Sequence, residues 1–268
     1  MPGRARPERR GPRRASALLL LLWPLGAAAQ GLEAVPPDLT WGKVAATPHL
    51  HFAALPRGRA VSVLVWGGIG SGDAARFAAA LNGAGAIDDV EFFSPGGVLD
   101  EGLNMGYEVR RRGLATRIPA GARCVSACNF AFMGGVVRSI DAGARFEVHM
   151  FATGDEVGRE IRHDVDDPPR SIADFNNRFP DNQLDPAGVR DYLAQHGTAL
   201  GTFLRDQAIG EDIKQIQQSA AEVSAKIGQF LLRMQLSLDF LTTFASIPND
   251  FPRPLSAAEL RRFNVVND

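Results

Sequence analysis

Hydrophobic and polar positions alternate between two kinds of pattern from residue 60 to residue 151. "AVSVLVWGGI" (60–69) is an unbroken apolar, β-branched run and predicts a buried strand. "SGDAARFAAALNGA" follows, Ala-rich, with Ser71 or Asp73 as N-cap, and predicts a helix. "IDDVEFF" (87–93) predicts a second strand, closed by the turn Ser94-Pro95-Gly96-Gly97. "VLDEGLNMGYEVRRRG" predicts a helix ended by Gly113, and "LATRIP" a short strand. After "CVSAC" (124–128), "NFAFMGGVV" reads as helix and "RFEVHMF" (145–151) as strand. Strands alternating with helices predict an α/β fold of βαβ units around a largely parallel sheet.

The flanks carry other patterns. Residues 30–58 are Pro-rich and irregular, with room for one or two edge strands. The segment "HDVDDPPRSIADFNNRFPDNQLDP", within 152–205, is polar and rich in Pro and Asp, and predicts an inserted excursion or lid. Asp164, Asp166 and Asp167 lack the glycine turn and terminal glutamate of a calcium loop, so a solvated acidic loop is expected. From Ile213, apolar residues at Ile216, Ala220, Val223, Ile227, Leu231, Met234 and Leu238 define a long amphipathic helix, facing the core or a second subunit. "LSAAELRRFNVVND" closes with a Ser-led helix (256–262) and a final short strand.

Charge changes the picture at the N-terminus. Six arginines within the first 14 positions precede "ASALLLLLWPLGAAA", which ends in Ala27-Ala28-Ala29. A basic stretch, a short apolar run and an Ala-x-Ala site predict a signal peptide over 1–29 and an exported, periplasmic or secreted product. The apolar run is too short to favour a spanning helix. Six of the 29 basic residues and one of the 30 acidic residues lie in that segment, so the rest of the chain carries a net charge of −6. That argues against a nucleic-acid surface. No later apolar run is long enough to hold the mature form in a membrane. The remaining organisation is an irregular segment at 30–58 and one α/β domain at 59–268, with 152–218 inserted.

Candidate chemistry gathers at the predicted strand ends. Cys124 and Cys128 are the two cysteines of the chain. Their C-x3-C spacing is not that of a dithiol redox centre, and no second pair completes a zinc site. Gly96 and Gly97 open a helix after a strand, where free N–H groups suit an anion or a developing oxyanion. Ser126 sits at a strand-to-helix junction between small residues, a place for an N-cap or for a nucleophile with the Ala127 N–H beside its hydroxyl. His149 lies 23 residues later near another strand end, where parallel sheets gather their sites. His49 and His51 have ligand-like spacing, but no third ligand accompanies them.

The order of "SPGG", a serine flanked by small residues about 30 positions on, "VHMF" and a closing "NDFPRPLSAAELRRFNVVN" resembles the Clp protease proteolytic-subunit/crotonase superfamily, and within it exported bacterial Clp-protease-like proteins. The resemblance covers roughly 60–151 and 219–268. It implies a ClpP/crotonase-like fold. It also implies an activity, that of a serine hydrolase cleaving peptides or unfolded protein segments, with no cofactor or metal and a tendency to form homo-oligomers. Position by position, it implies Ser126 as nucleophile, His149 as base, Asp250 as acid, and N–H groups of Gly96, Gly97 and Ala127 as the oxyanion hole. Asp250 stands two residues further from Leu255 than the family's acid, with Pro252 and Pro254 between. Other readings compete with this one. They are a binding or scaffold protein that keeps the fold without catalysis, a serine–lysine pair using Lys226, and an acyl-coenzyme A enzyme. In a first helical turn, Cys124 and Cys128 would have Cα atoms about 6 Å apart, which predicts a local disulfide bracing the Ser126 turn, or failing that two buried thiols packing it.

Overall fold

The computed structural model describes residues 32–150 and 163–268. The expected signal peptide (1–29) and the first part of the insertion (152–162) lie outside the described residues. The chain is a mixed α/β fold built on a five-stranded sheet in the order β1-β2-β3-β4-β6. Its strands are β1 (His51–Arg57), β2 (Ala60–Trp66), β3 (Ile87–Phe93), β4 (Ala115–Ile118) and β6 (Arg138–Ile140). β2, β3 and β4 pair in parallel, as their sequences predict, but the fourth parallel strand is β6, which the hydrophobic pattern does not mark, and not the 145–151 strand, which lies in a second sheet; β1 from the Pro-rich segment pairs antiparallel with β2 as an edge strand. A smaller sheet, β5-β7-β8, holds β5 (Arg123–Val125) parallel to β7 (Arg145–Val148), and β7 antiparallel to β8 (Arg253–Pro254). An isolated bridge, Ser94↔Cys124, ties the end of β3 to β5.

Helices precede β1 and follow the strands of the main sheet. α1 (Trp41–Ala46) precedes the sheet, α2 (Asp73–Gly83) follows β2, and α3 (Leu99–Arg112) follows β3. α3 ends at Gly113 in the left-handed conformation, as its sequence predicts. The N-cap of α2 is Gly72, not Ser71 or Asp73. Glu101 of α3 accepts from the N–H groups of Gly72 and Ala74, a cap that local sequence does not reveal. α4 (Ala127–Met133) packs against α3 closely enough to require glycine. A Cβ at Gly102 would lie 2.3 Å from the Ala127 carbonyl, and one at Gly106 would lie 2.4 Å from that of Phe130. α4 stops before Gly134, where Arg110 takes the carbonyls of Gly134 and Gly135.

The inserted region is helical in its described part. α5 (Ile172–Arg178) and α6 (Pro186–His196) bury Phe175, Phe179 and Val189 against Phe203, Leu204 and Ala208 of α7 (Leu200–Arg233). α7 begins before Ile213 and bridges two clusters: its far end sends Ile227, Phe230 and Leu231 into the main core. Phe230 meets Phe130 edge-on at 5.6 Å. The predicted stripe is therefore core-facing only in part, since Ile213 is 45% exposed. Asp164 is buried and pairs with Arg178, Asp167 pairs with Arg170, and residues 163–166 are helical, so the acidic run is not the solvated loop expected from its sequence. α8 (Asp239–Ala245) and α9 (Ala257–Arg262) complete the domain.

The final strand expected after α9 does not form. Buried Arg138 donates to the carbonyls of Asn264 and Val265, and Asn264 has φ +57°. The β-branched pair Val265-Val266 is thus held by a clasp instead of a sheet. Burial, and then the nearby Arg110, lower the Arg138 guanidinium to about 10.

Candidate active site

The parallel pair β5 and β7 brings Ser126 and His149 to neighbouring strand ends. Their register closes at Val125↔Glu147, and one residue later the Ser126 N–H donates to the Glu147 carbonyl at 3.3 Å. There the backbone turns sharply. Ser126 has φ 58° and ψ −125°, a conformation that non-glycine residues rarely adopt, and α4 starts at the next residue. Such a strand–turn–helix elbow projects a hydroxyl out of the sheet. The expected disulfide brackets the elbow. Cys124 and Cys128 are joined, with Cα atoms 5.3 Å apart and both residues buried.

The glycine turn lies against the same elbow. A Cβ at Gly96 would come within 2.8 Å of Ser126 Cβ and 2.9 Å of the Ala127 nitrogen, so glycine is required for the approach. The expected donors differ in availability. The Gly96 N–H is held by Ser94 Oγ at 3.1 Å. Neither the Gly97 nor the Ala127 N–H has a hydrogen-bond partner among the described residues. Gly97 is held in place through Ile69, which donates to the Gly96 carbonyl and accepts from Val98.

His149 leaves the ladder after β7. Its Nδ1–H donates to the Met150 carbonyl at 2.7 Å, a bond that leaves Nε2 as the basic nitrogen. The Met150 N–H in turn donates to the Ile247 carbonyl at 2.7 Å. This contact and the β7–β8 pairing bring the segment before β8, with Asp250, to the His149 end of β7. Asp250 itself is exposed and forms no hydrogen bond or ion pair among the described residues. Ser126 Oγ and His149 share no hydrogen bond there either. The elbow, the glycine turn and the histidine strand thus converge, while the acid does not engage the histidine.

Beneath the elbow lies a charged network that the sequence did not reveal. Glu147 is 1% exposed and accepts from Arg123 in bidentate fashion, at 3.0 and 2.5 Å. The Arg123 guanidinium lies 4.0 Å from the ring centroid of Trp41. Asn129, one turn into α4, donates to the same Glu147 carbonyl at 2.7 Å. The G-x3-G spacing of Gly102 and Gly106 was a readable signal for close helix packing. For Glu147 and Asn129 no local signal exists.

The rival groups are engaged elsewhere. Lys226 pairs with Asp100 at 3.2 Å. His51 stacks on Trp66 and pairs with Glu33, while His49 faces Asp73, so the two imidazoles share no ligand position. Among the described residues no group of three or more metal-ligating side chains gathers, and no helix is long and apolar enough to cross a membrane.

No protein-family model matches the chain, and no curated protein matches it significantly. Among solved structures it is similar to a serine-to-alanine mutant of 1510-N, a membrane-bound stomatin-specific protease. The likeness has 17% identity, covers 75% of this chain and 73% of that one, and has a TM-score of 0.32.

Proposed function

We propose that the chain is an exported serine hydrolase of ClpP/crotonase-like fold that cleaves peptides or unfolded protein segments at Ser126. The observation that carries the reading is the elbow. A non-glycine residue is held at φ 58° between β5 and α4, against a glycine turn and beside two N–H groups without partners among the described residues. A conformation of that kind persists only where its surroundings impose it. The disulfide and the buried Glu147–Arg123 pair supply that constraint.

In the proposed reaction, Ser126 Oγ attacks the substrate carbonyl carbon and its proton passes to His149 Nε2. The Met150 carbonyl holds the histidine tautomer, a task that an acid performs in a triad. The carbonyl oxygen gains negative charge and takes the N–H groups of Gly97 and Ala127. His149 returns the proton to the leaving amine, and the acyl-serine is then hydrolysed by water with the same base. Asp250, exposed and without a hydrogen bond or ion pair among the described residues, takes no step in this reaction. A disulfide fits export, since such bonds persist in oxidising compartments.

A fluorophosphonate probe tests this reading. Mass spectrometry of the treated protein should find the adduct on Ser126 and none in Ser126→Ala. A second reading, a binding protein that keeps the fold without catalysis, is favoured by the missing Ser126–His149 hydrogen bond and the unengaged Asp250. Catalytic hydrogen bonds are often long before substrate binds, so the two readings part at the labelling step. A folded protein that stays unlabelled in excess probe supports the second.

A further inference from the structure

Asn129 has no place in the reaction described above, yet it is built into the elbow. It is 2% exposed, on α4, three residues after Ser126. Its N–H donates to the Ser126 carbonyl at 2.9 Å, and its Nδ2 donates to the Glu147 carbonyl at 2.7 Å. Its Oδ1 is buried without a hydrogen-bond partner among the described residues, which an apolar side chain of similar size would avoid. The reason for an amide here lies in the ladder. β5 pairs with β7 up to Val125↔Glu147, and then its backbone turns away at Ser126. The Ser126 N–H reaches the Glu147 carbonyl only at 3.3 Å, and the Asn129 amide supplies the shorter bond to that same oxygen.

Two residues beyond that carbonyl stands His149. On its other side the Met150 N–H is fixed to Ile247. The histidine backbone therefore hangs between two anchors, one of them supplied by the helix that carries the nucleophile. We propose that Asn129 is a positioning residue: it sets where His149 stands relative to Ser126 by binding the Glu147 carbonyl. The inference rests on reading Ser126 and His149 as the reactive pair.

Asn129→Leu is the decisive variant, because it removes the donor and the orphaned acceptor together, while the Glu147 carbonyl keeps its longer bond from the Ser126 N–H. In the full chain, Ser126 phosphonylation by a fluorophosphonate is measured against probe concentration, with thermal unfolding alongside. The limiting rate is expected to fall about tenfold to a hundredfold, the scale of a small misplacement of reacting groups. The half-saturating probe concentration should stay near native, and the fall in limiting rate should exceed any fall in the folded fraction read from the unfolding midpoint. Asn129→Gln, which keeps a donor, should recover part of the rate. A native limiting rate in Asn129→Leu overturns the inference. If the native protein is itself unlabelled, the reaction reading fails. Amide exchange at Ser126 and Met150 then decides the positioning role: faster exchange in Asn129→Leu sustains it, and unchanged exchange overturns it.

Discussion

Reducing the Cys124–Cys128 disulfide, with both residues left in place, should destabilise the fold by about 2 kcal/mol and slow reaction at Ser126. The bond joins residues at a sequence separation of 4 and closes a short loop around the elbow. Chain-entropy arithmetic for a loop of about five residues gives about 2 kcal/mol at 25 °C. Within that loop Ser126 holds a conformation that costs about 1–3 kcal/mol for a residue other than glycine. The covalent constraint is thus of the same size as the strain it encloses, and its loss gives the elbow a route to relax. Both cysteines are buried, so reduction proceeds through unfolded protein. Equilibrium denaturation with and without a phosphine reductant, extrapolated to water, measures the difference. A change of about 2 kcal/mol is roughly thirtyfold in the folding equilibrium. Phosphonylation of Ser126 in the refolded, reduced protein should slow in parallel. Equal unfolding free energies and equal labelling rates in the two redox states would refute the reasoning.

Other perturbations probe the same region. Ser126→Gly should stabilise the chain by about 1 kcal/mol while abolishing labelling, because glycine adopts positive φ freely. Ser126→Ala keeps the strain and should show no such gain in a thermal melt. Gly102→Val should destabilise by more than about 2 kcal/mol and disturb the elbow, because its side chain would meet the Ala127 carbonyl; a native unfolding midpoint would contradict this. Glu259 caps α9 and pairs with Arg253 of β8, and the Arg253 hydrogen bond, followed by those of Ser256, lowers its carboxyl from 4.5 to about 2. A depressed folded-state value stabilises fully above about pH 4.5 and loses that contribution as pH falls toward 2. The acid limb of stability in that window should therefore be shallower in Glu259→Gln, and equal slopes would contradict the assignment.

What was legible in the sequence was local. β3 is Ile87–Phe93 as its sequence predicts, and α3 ends at Gly113 because one glycine there adopts the left-handed turn. The elbow was legible too, since C-x3-C and small residues around Ser126 constrain one short segment. The rest depends on partners far along the chain. Glu101 caps a helix 27 and 29 residues away, and Arg138 clasps a carbonyl 127 residues away. The latter contact overrides the β propensity of Val265-Val266. The expected lid is helical because Phe175, Phe179 and Val189 find Phe203 and Leu204 on α7, a pairing that periodicity within either segment does not show. Of the candidate site, the serine, the histidine and the glycine turn were readable as ends of elements. The distinction between Gly96 and Gly97 was not, because it turns on the Ser94 hydroxyl. Asp250 is the nearest carboxylate before α9, and nearness along the chain does not say where an exposed carboxylate points.

The most direct measurement is a crystal structure of the full chain after treatment with a fluorophosphonate. A reactive elbow predicts phosphorus bonded to Ser126 Oγ, with the phosphoryl oxygen about 2.7–3.1 Å from the Gly97 and Ala127 nitrogens. It also predicts His149 Nε2 within about 3.2 Å of the serine oxygen. An unmodified Ser126 in a folded chain, with probe in excess, would contradict it.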